Sequence, residues 1–479
     1  MRTVVPPLSR RELMVGTLAA TVGLGLAACQ QDKPRPRNLL LFLTDDQRYD
    51  ALGFMGHPFL HTPNIDALAR GGSWCRNSFV TTAVCSSSRA TLLTGLYAHN
   101  HGVLVNGSPL REGQVTLAKL LQAAGYETAW IGKWHLGTPL TMPGFDHWFA
   151  LKGHGRYDNA PFLINGVEQD VPGYVTDVIT AEALRWLENR TSNKPYFLVI
   201  SHKAPHHPFA PDEAHSHLFE DITPPHPAES VTEPGLPSWV KHQRMTQHGI
   251  DNPWQHSLKW EEVYLNYHRV LVSVDEGVGK VVKALSARNE LDQTFITYTS
   301  DNGFLLGEHG IIDKRAIYEP SIRVPLIFHC PELIQPGGEV EALSLNLDLA
   351  PTLLEVAGST SPAWMQGHSL LPVLLRQPCA WRGDFLYEYF FESWTPMTPT
   401  IFAMRSRRWK YAEFYGVEDI GELYDLEQDP REENNLFLDP ASAPLKESLA
   451  QRLIQLKAET GLREQPNWGD GPYGRGSLK

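Results

Sequence analysis

Cysteine is scarce in this sequence, with five among 479 residues. Cys29 follows an apolar N-terminal segment, which leaves Cys75, Cys85, Cys330 and Cys379 for the rest of the chain. Four cysteines spread over so long a chain exclude the disulfide frameworks that hold small secreted domains together. A single Cys75–Cys85 bridge is allowed by the count, but the residues around Cys85 favour another explanation.

The sequence also lacks an excess of basic residues. It has 42 lysines and arginines against 54 aspartates and glutamates, for a net charge of -12. This balance excludes the basic footprint that nucleic-acid phosphates require, so we expect no nucleic-acid partner. An acidic protein can still bind an anion if its cations converge on one pocket.

The N terminus lacks an apolar run long enough for a membrane-spanning helix, because LMVGTLAATVGLGLAAC is short and rich in glycine. Arg10 and Arg11 precede this run. Paired arginines before a short apolar segment resemble a Tat export signal, which is read by the machinery that carries folded proteins. We therefore expect an exported bacterial protein of the periplasm or cell envelope, with the Tat machinery as a partner.

The end of this segment, Leu26 to Cys29, resembles a bacterial lipobox. This resemblance implies cleavage before Cys29 and lipidation of its sulfur, so that acyl chains tether the domain to a membrane. The alternative is a plain cleaved signal with an incidental cysteine. We expect a Tat-type lipoprotein signal peptide over residues 1–28 and a tether over residues 29–37, with membrane contact only through the lipid anchor.

Five short apolar runs have the form of strands buried within a parallel sheet, and helical patterns lie between them. The runs are residues 38–47, 128–135, 195–208, 294–303 and 324–330, and the helical patterns are residues 116–126, 175–190 and 264–285. This alternation indicates an α/β fold, in which sites form beyond the carboxyl ends of strands. After about Cys379, short strand patterns and one amphipathic helix over residues 445–459 follow. We expect a catalytic domain over residues 38–378 and a smaller C-terminal α+β subdomain over residues 379–479.

Residues 224–260 interrupt the alternation of strands and helices. The segment is rich in proline, histidine and tryptophan, and it is too long for a simple connector. We interpret it as a loop over the site that selects the substrate, with a surface insertion as the alternative.

Oxygen-bearing side chains end two of the expected strands. Asp45 and Asp46 follow the first run, and Asp301 and Asn302 follow the run that begins at residue 294. Three carboxylates and an amide oxygen suit a hard cation such as Ca²⁺ or Mg²⁺. Each pair alone is more typical of a turn or a helix cap, but two pairs at strand ends of one sheet indicate a metal site.

Basic side chains could face the same cleft. They are Arg89, Lys133, Lys314, His135 and His206, of which Lys133, His135 and His206 directly follow strands. Carboxylates, a metal ion and cations together describe a site for a tetrahedral oxyanion.

The stretch VCSSSRATLLTG, residues 84–95, places a cysteine before three serines and an arginine. Ser86 to Ser88 can cap a helix that starts near Arg89, whose N-terminal amides and dipole would then face residue 85. The alternative is a capped helix with a buried cysteine.

This stretch resembles the signature of the type I sulfatases, which belong to the alkaline phosphatase superfamily. Six further segments occur in the order that the family has, namely LTDDQ, GKWHLG, APHHP, TSDNGFLLGEHG, YEPSIRVPL and ELYDLEQDP. The resemblance therefore extends from about Asn38 to Asp429. It implies an α/β fold with an alkaline-phosphatase-like mixed central sheet flanked by helices. It also implies that a maturation enzyme oxidises Cys85 to formylglycine, whose side chain is an aldehyde. The family has proline where Ser87 stands, and that proline belongs to the motif that the maturation enzyme reads, so the efficiency of modification is open.

The resemblance also assigns roles to the residues of the site. The ligands of one Ca²⁺ or Mg²⁺ are Asp45, Asp46, Asp301, Asn302 and the oxygen of modified Cys85. Of the catalytic side chains, Arg89 and Lys133 position the hydrated aldehyde, and Lys314 binds the sulfate. His135 is the base that triggers sulfate release. His206 protonates the leaving oxygen, and His202 is the alternative residue for that role. One hydroxyl of the hydrated aldehyde attacks sulfur, and deprotonation of the other then expels sulfate, which a serine could not achieve.

The segments GFLLGEHGIIDKRAIYEPSIRVPL and PGFDHWFALKGHGRYDNAPFLINGVEQ resemble N-acetylglucosamine-6-sulfatases and other sulfatases of glycosaminoglycan degradation. A sulfated sugar is therefore the expected substrate. The next alternative is that the protein is an arylsulfatase of unknown natural substrate. The candidates for sugar contacts are His154, Arg156, Tyr157 and Trp254. The alternatives are a phosphomonoester or phosphonate monoester hydrolase of the same superfamily and a non-catalytic lipoprotein that binds sulfated glycan.

Overall fold

The computed structural model describes residues 37–138, 142–225, 235–251 and 259–463. The expected signal peptide, the expected tether up to residue 36 with Cys29, and the sugar-contact candidate Trp254 lie outside the described residues. Within the described ranges, no helix combines the length and the apolar character needed to cross a membrane.

A mixed sheet of ten strands forms the centre of the molecule, in the order β11-β2-β10-β9-β1-β8-β4-β5-β6-β7. The strands are β1 Asn38–Asp45, β2 Ser73–Cys75, β3 Ser78–Phe79, β4 Glu127–Lys133, β5 His147–Leu151, β6 Pro161–Ile164, β7 Val167–Asp170, β8 Tyr196–Pro205, β9 Thr294–Ser300, β10 Leu326–His329, β11 Gly338–Val340, β12 Ser344–Leu345, β13 Asp384–Tyr389, β14 Thr400–Ser406, β15 Trp409–Tyr415 and β16 Glu422–Asp425. Strands β9, β1, β8, β4 and β5 are parallel neighbours, and β3 and β12 form a separate parallel pair. The sheet therefore has a parallel centre with antiparallel pairings towards both edges.

Helices cover both faces of this sheet. They are α1 Pro63–Gly71, α2 Cys85–Thr94, α3 Ala98–His101, α4 Leu117–Ala123, α5 Val175–Asn189, α6 Ser238–Gln243, α7 Trp260–Ala287, α8 Glu319–Ile322, α9 Leu349–Val356, α10 Leu371–Leu374 and α11 Ala443–Thr460. Because successive strand residues point to opposite faces, Leu39 and Leu41 pack with α2, α4 and α9, whereas Leu40 and Phe42 pack with α1, α5 and α7. The apolar run of β1 is thus buried on both faces, which explains its lack of alternation.

The five expected strands all form, as β1, β4, β8, β9 and β10. β10 pairs antiparallel with β9, so the expectation of a parallel strand is wrong for the run at residues 324–330. A run of buried apolar residues has the same composition in either direction, because both faces are covered in each case. The mixed α/β fold is confirmed, and the interrupting segment 224–260 contains the helix α6 in its described part.

A second, antiparallel sheet lies towards the C terminus, in the order β13-β14-β15-β16. Helix α11 packs against β13, β14 and β15, and its buried side chains include Leu449, Leu453 and Leu456. This arrangement agrees with the strand patterns and with the amphipathic helix expected over residues 445–459.

A buried ionic cluster joins the C-terminal sheet to the segment that follows Lys314. Lys410 on β15 is 1% exposed, and its Nζ lies 2.9 Å from Oε1 of Glu319 on α8 and contacts the carboxylate of Glu432. The same Nζ donates a hydrogen bond of 2.7 Å to the carbonyl of Ile317. The Lys410 ammonium is therefore a counter-ion of two buried carboxylates, and Arg405 also pairs with Glu319, at 3.0 Å.

We expect Lys410→Met to lower the free energy of unfolding by about 3–5 kcal/mol, because the buried Glu432 carboxylate loses its cationic partner, whereas Glu319 keeps Arg405 at 3.0 Å. Lys152→Met is the matched control, since Lys152 and Glu168 form a pair of 2.8 Å whose side chains are both 50% exposed. Its loss should stay below about 1 kcal/mol. Chemical denaturation followed by circular dichroism measures both, and equal losses would contradict the role of the buried cluster.

Candidate active site

Two adjacent parallel strands bring the carboxylates together. Thr44 of β1 is paired in register with Ser300 of β9, so the residues that follow both strands emerge at the same edge of the sheet. Asp46 adopts a φ of 72°, and its backbone amide donates a hydrogen bond of 3.1 Å to Oδ1 of Asp301. The Tyr267 hydroxyl donates to the carbonyl of Asp46 at 2.8 Å. The turn after β1 is therefore fixed by partners from β9 and α7.

Helix α2 places Cys85 at this edge. The helix begins at Cys85 itself, with Val84 as N-cap and no side-chain cap, so the expectation of a helix that starts near Arg89 after capping serines is wrong. The serines bond elsewhere, because Ser86 donates to the carbonyl of His135 at 2.6 Å and Ser88 accepts from Asn346 at 2.8 Å. Since the free amides of a helix lie in its first turn, residue 85 sits at the positive end of the α2 dipole.

The four described cysteines, Cys75, Cys85, Cys330 and Cys379, are all free, so the structure contains no Cys75–Cys85 bridge. Burial raises the pKa of the Cys85 thiol to about 12, even though Lys133 and Lys314 lower it. An unmodified Cys85 is therefore a neutral thiol at neutral pH.

The expected metal ligands fit a hard cation. Ligand atoms of Asp45, Asp46, Cys85 and Asp301 all lie within 4.8 Å of one another, and all four residues are buried. Asn302 donates from Nδ2 to Oδ1 of Asp46 at 2.7 Å, which leaves its own Oδ1 buried without a hydrogen-bond partner. Oδ1 of Asp45 is also buried without a hydrogen-bond partner. Orphaned buried oxygens beside three carboxylates are the donor set that Ca²⁺ or Mg²⁺ requires.

Three cationic side chains are interleaved with these carboxylates. Arg89 donates from Nε to Oδ2 of Asp301 at 2.8 Å, Lys133 pairs with Asp45, and Lys314 pairs with Asp46. Lys314 Nζ also lies 2.9 Å from Sγ of Cys85. Arg89 is held further by the carbonyl of Lys133 at 2.6 Å. The expected carboxylates, cations and cysteine thus meet in one buried cluster.

Burial and the neighbouring charges shift the pKa values of the three carboxylates in different directions. Burial alone would raise the pKa of Asp45, but Lys133 and further cations hold it well below its usual range. Burial, followed by repulsion from Asp45, raises the pKa of Asp301 to about 7. Burial raises the pKa of Asp46 despite the attraction of Lys314. An additional cation at this point would relieve the repulsion between the carboxylates.

The two expected histidines, His135 and His206, line one cleft next to this cluster. His206 donates from Nδ1 to the carbonyl of His207 at 2.8 Å, so its Nε2 is the nitrogen that points towards Asp46, 3.8 Å from Oδ2. Nδ1 of His135 is buried without a hydrogen-bond partner. Burial, followed by the charge of Lys133, lowers the pKa of both histidines, so both rings are neutral at neutral pH.

A cleft of about 730 Å³ opens above the cluster and is lined by Asp46, His135, His206 and Lys314. His154 also lines it, with its ring centroid 4.1 Å from that of His135 and 4.9 Å from that of His206. A concave site with a few convergent polar side chains is the usual location for a small-molecule ligand.

The other expected side chains lie elsewhere. Tyr157 is buried and donates its hydroxyl to the carbonyl of His206 at 2.7 Å, which makes it a support of the cleft wall. Arg156 is exposed, donates to the carbonyl of Asn159 at 2.8 Å and pairs with Asp170 at 3.3 Å. His202 is fully buried and is not among the described residues that line the cleft.

The cleft also contains polar side chains that the sequence did not single out. The additional polar lining residues are Asn106, Lys203, Gln247, His248, Asp313 and Arg315, with Trp394 at the rim. Lys203 donates to the carbonyl of His207 at 2.9 Å, and burial followed by the charge of Lys133 lowers its pKa to about 7. Lys203, Asp313 and Arg315 adjoin the motifs APHHP and Lys314, so their proximity in sequence was the available signal.

The loop that carries Lys314 is fixed by its neighbours. Arg315 pairs through NH1 with Asp313 at 2.7 Å and through Nε with Glu392 at 2.6 Å. The Tyr387 hydroxyl donates to the carbonyl of Arg315 at 2.5 Å. Since Glu392 and Tyr387 belong to the C-terminal sheet region, that sheet holds one wall of the site.

Comparison with known proteins gives matches over most of the chain. The family described as Sulfatase matches residues 37–359, and the family described as N-sulphoglucosamine sulphohydrolase, C-terminal, matches residues 307–459. An N-acetylglucosamine-6-O-sulfatase of Bacteroides thetaiotaomicron is 34% identical over an alignment of 507 positions, which covers 92% of this chain and 90% of that protein.

Solved structures resemble the whole fold. A protein in complex with its substrate D-glucosamine-2-N,6-O-disulfate gives a TM-score of 0.84 at 32% identity, over 89% of this chain and 98% of that chain. A phosphonate monoester hydrolase of Agrobacterium radiobacter gives a TM-score of 0.74 at 25% identity, over 88% of this chain and 96% of that chain. These likenesses confirm the alkaline-phosphatase-like fold. From the family match, the extent of the identity and the shared fold together, it follows that this chain belongs to the sulfatase family, whose members hydrolyse sulfate esters.

Proposed function

We propose that this sulfatase removes the 6-O-sulfate from a glucosamine-type sugar, with Cys85 converted to formylglycine and one Ca²⁺ or Mg²⁺ in the carboxylate cluster. The observation that carries the proposal is the position of Cys85. Its Sγ lies at a helix N-terminus, 2.9 Å from Lys314 Nζ and among the ligand atoms of three buried carboxylates, and both Lys314 and Asp46 line the cleft. A sulfate group placed there would meet cations on one side and the residue 85 side chain on the other.

The bound groups would supply chemistry that the chain lacks. A divalent ion held by Asp45, Asp46, Asp301 and Asn302 would neutralise sulfate oxygens and acidify a hydroxyl of residue 85. The aldehyde of formylglycine would supply a hydrated side chain with two hydroxyls, of which one attacks and the other allows release of sulfate.

The remaining work falls to side chains of the chain itself. Lys314 is placed to bind a sulfate oxygen beside residue 85, and Arg89 and Lys133 hold the carboxylates in position. Nε2 of His206 is the nitrogen left for the substrate, because Nδ1 donates to the carbonyl of His207. Since the neutral ring carries its one proton on Nδ1, Nε2 would first take up a proton, which the negative charge of a bound sulfate favours, and would then pass it to the leaving oxygen. His135 would take the proton whose removal releases sulfate. Its ring lies against that of His154, with 4.1 Å between the centroids.

The class of substrate is supported by the relatives and by the cleft. The relative from Bacteroides thetaiotaomicron is an N-acetylglucosamine-6-O-sulfatase, and the structural neighbour binds a glucosamine sulfated at N and at O6. The cleft offers His154, Asp313 and Arg315 as donors and acceptors for ring hydroxyls. The phosphonate monoester hydrolase neighbour keeps a phosphorus ester as the second candidate.

We further propose that the protein is exported and anchored as a lipoprotein. The support is the sequence alone, namely Arg10 and Arg11 before the apolar segment and the lipobox-like residues that end at Cys29. The proposed partners are the Tat export machinery and a formylglycine-generating enzyme. Ser87, which stands where the family has proline, would limit the efficiency of the modification of Cys85.

Cys85→Ala should fold and bind metal but lose turnover by roughly 10³-fold or more, because the attacking group is gone. Cys85→Ser should retain bound sulfate or lose sustained turnover, since a serine cannot expel sulfate. Cys75→Ala is the matched control, because Cys75 is also a buried free thiol but lies on β2, away from the cleft. Steady-state kinetics measure all three, and multiple turnovers by Cys85→Ser would contradict the aldehyde mechanism.

Sulfate should be preferred over phosphate in matched esters. For N-acetylglucosamine 6-sulfate against the 6-phosphate, we expect kcat/KM to favour the sulfate by roughly 100-fold, or about 2.7 kcal/mol in transition-state free energy. A preference for the phosphate ester would identify the protein as a phosphohydrolase of this fold.

Divalent ions should control both turnover and stability. Chelation should abolish turnover, and Ca²⁺ or Mg²⁺ should restore it and raise Tm. An ion that binds only the folded state stabilises that state by about 2.7 kcal/mol at a concentration 100 times Kd. Asp45→Asn should lose the rise in Tm, whereas the exposed Asp158→Asn should keep it. An identical rise in both variants would place the ion elsewhere.

A further inference from the structure

Lys203 lies beside His206 and has no role in the chemistry described above. It belongs to the C-terminal part of β8 and is 1% exposed. Lys133 and Lys314 contact buried carboxylates, whereas the polar contact of Lys203 within the described residues is a backbone carbonyl. Buried lysines are rare unless they are paired, because removing the charged group from water is unfavourable. The presence of a lysine here, instead of an apolar side chain, therefore indicates a function.

Lys203 and His206 share one acceptor, the carbonyl oxygen of His207. Nζ of Lys203 donates to this oxygen at 2.9 Å, and Nδ1 of His206 donates to it at 2.8 Å. A carbonyl oxygen has two lone pairs, so it can accept both hydrogen bonds. The Lys203 amino group thus holds the oxygen that in turn holds the imidazole ring of His206.

Tyr157 holds the preceding carbonyl of the same turn. Its hydroxyl donates to the carbonyl of His206 at 2.7 Å, and the amide of His206 donates to the carbonyl of Lys203 at 2.9 Å. Nζ of Lys203 lies 5.1 Å from the centroid of the Tyr157 ring, within the range of a cation–π contact. Lys203 and Tyr157 therefore contact each other and fix two successive carbonyls, those of His207 and His206.

The direction of Nε2 in His206 depends on the hydrogen bond made by Nδ1, because the imidazole ring is rigid. Nε2 lies 3.8 Å from Oδ2 of Asp46, beside the carboxylate cluster. Nδ1 carries a hydrogen in the neutral ring described above and also in the protonated ring, so its bond to the His207 carbonyl is available in both states. A displacement of about 1 Å at a reacting group can reduce turnover by about 100-fold.

We propose that Lys203 is a positioning residue for proton transfer, which fixes the direction of Nε2 of His206 by holding the carbonyl of His207. The inference rests on the proposed function, since it takes His206 as the group that protonates the leaving oxygen. It gives Lys203 a different role from Lys314, whose Nζ contacts Sγ of Cys85 and would bind the sulfate. The alternative for Lys203, which also lines the cleft, is direct contact with the sulfate.

Lys203→Met removes the donor while keeping a side chain of similar length. The alkoxide that leaves N-acetylglucosamine 6-sulfate needs a proton, whereas the phenolate of 4-nitrophenyl sulfate leaves without one. We expect the variant to lose roughly 100-fold in kcat for the sugar sulfate, with KM changed by less than about twofold, and to lose less than about threefold in kcat for the aryl sulfate. Loss of a sulfate-binding group would instead raise KM for both substrates.

Lys457→Met is the matched control. Lys457 is 6% exposed, its Nζ donates to the Tyr415 hydroxyl at 2.7 Å, and it is not among the described residues that line the cleft. This variant should keep wild-type kinetics with both substrates. Tyr157→Phe removes the donor to the other carbonyl and should lose kcat for the sugar sulfate more than for the aryl sulfate. It provides the same test if circular dichroism shows that Lys203→Met does not fold.

Two further measurements ask whether Lys203 acts through His206. In His206→Ala protein, adding Lys203→Met should lower kcat for the sugar sulfate by less than about threefold, because the ring that Lys203 positions is already absent. Nitrogen-15 NMR of the histidines is independent of turnover, and the His206 signal is identified by its loss in His206→Ala. We expect the Nδ1–H tautomer of His206 in wild-type protein and a mixture of tautomers in Lys203→Met.

The outcomes separate the two proposals. Equal losses with both substrates, or an undiminished loss in the His206→Ala protein, would overturn the positioning role while leaving the proposed sulfatase activity intact. If 4-nitrophenyl sulfate is not hydrolysed, the comparison in His206→Ala protein decides alone. If no sulfate ester is hydrolysed, the proposed function fails, and an unchanged His206 tautomer in Lys203→Met would then overturn the positioning role as well.

Discussion

The burial of three carboxylates at one point determines much of this structure. Asp45 and Asp46 after β1 meet Asp301 after β9 because the two strands are parallel neighbours in register. Such a concentration of buried negative charge is unfavourable unless cations and hydrogen bonds compensate it. Helix α2, the last residue of β4 and the segment after β9 bring one arginine and two lysines into contact with the carboxylates. Of these cations, Lys314 also lines the cleft.

The C-terminal sheet region supports this site and contributes Trp394 to the cleft. Lys410 joins β15 to α8, and Glu392 and Tyr387 hold Arg315, the residue after Lys314. Lys314 is thus positioned through buried ionic contacts that begin in the second sheet. This coupling joins the smaller sheet to the segment between β9 and β10, so the position of Lys314 beside Asp46 depends on contacts from both sheets.

Much of the site could be predicted from the sequence, because its residues follow strands directly. Asp45, Lys133 and Asp301 end apolar runs, and parallel strands bring their carboxyl ends to one edge. The helix start at Cys85 was missed because small polar residues resemble a cap even inside a helix. Trp394 could not be foreseen, since neither its residue type nor its neighbours distinguish the wall of a cleft from an ordinary surface. Such residues are placed by tertiary packing, which has no local pattern.

The proposed chemistry requires an aldehyde, and not a thiol, at residue 85. The decisive experiment is mass spectrometry of the peptide that contains residue 85, from protein produced together with a formylglycine-generating enzyme. We expect the mass of formylglycine in the active fraction. Hydrolysis of sulfate esters by protein in which residue 85 remains an intact cysteine would rule this chemistry out.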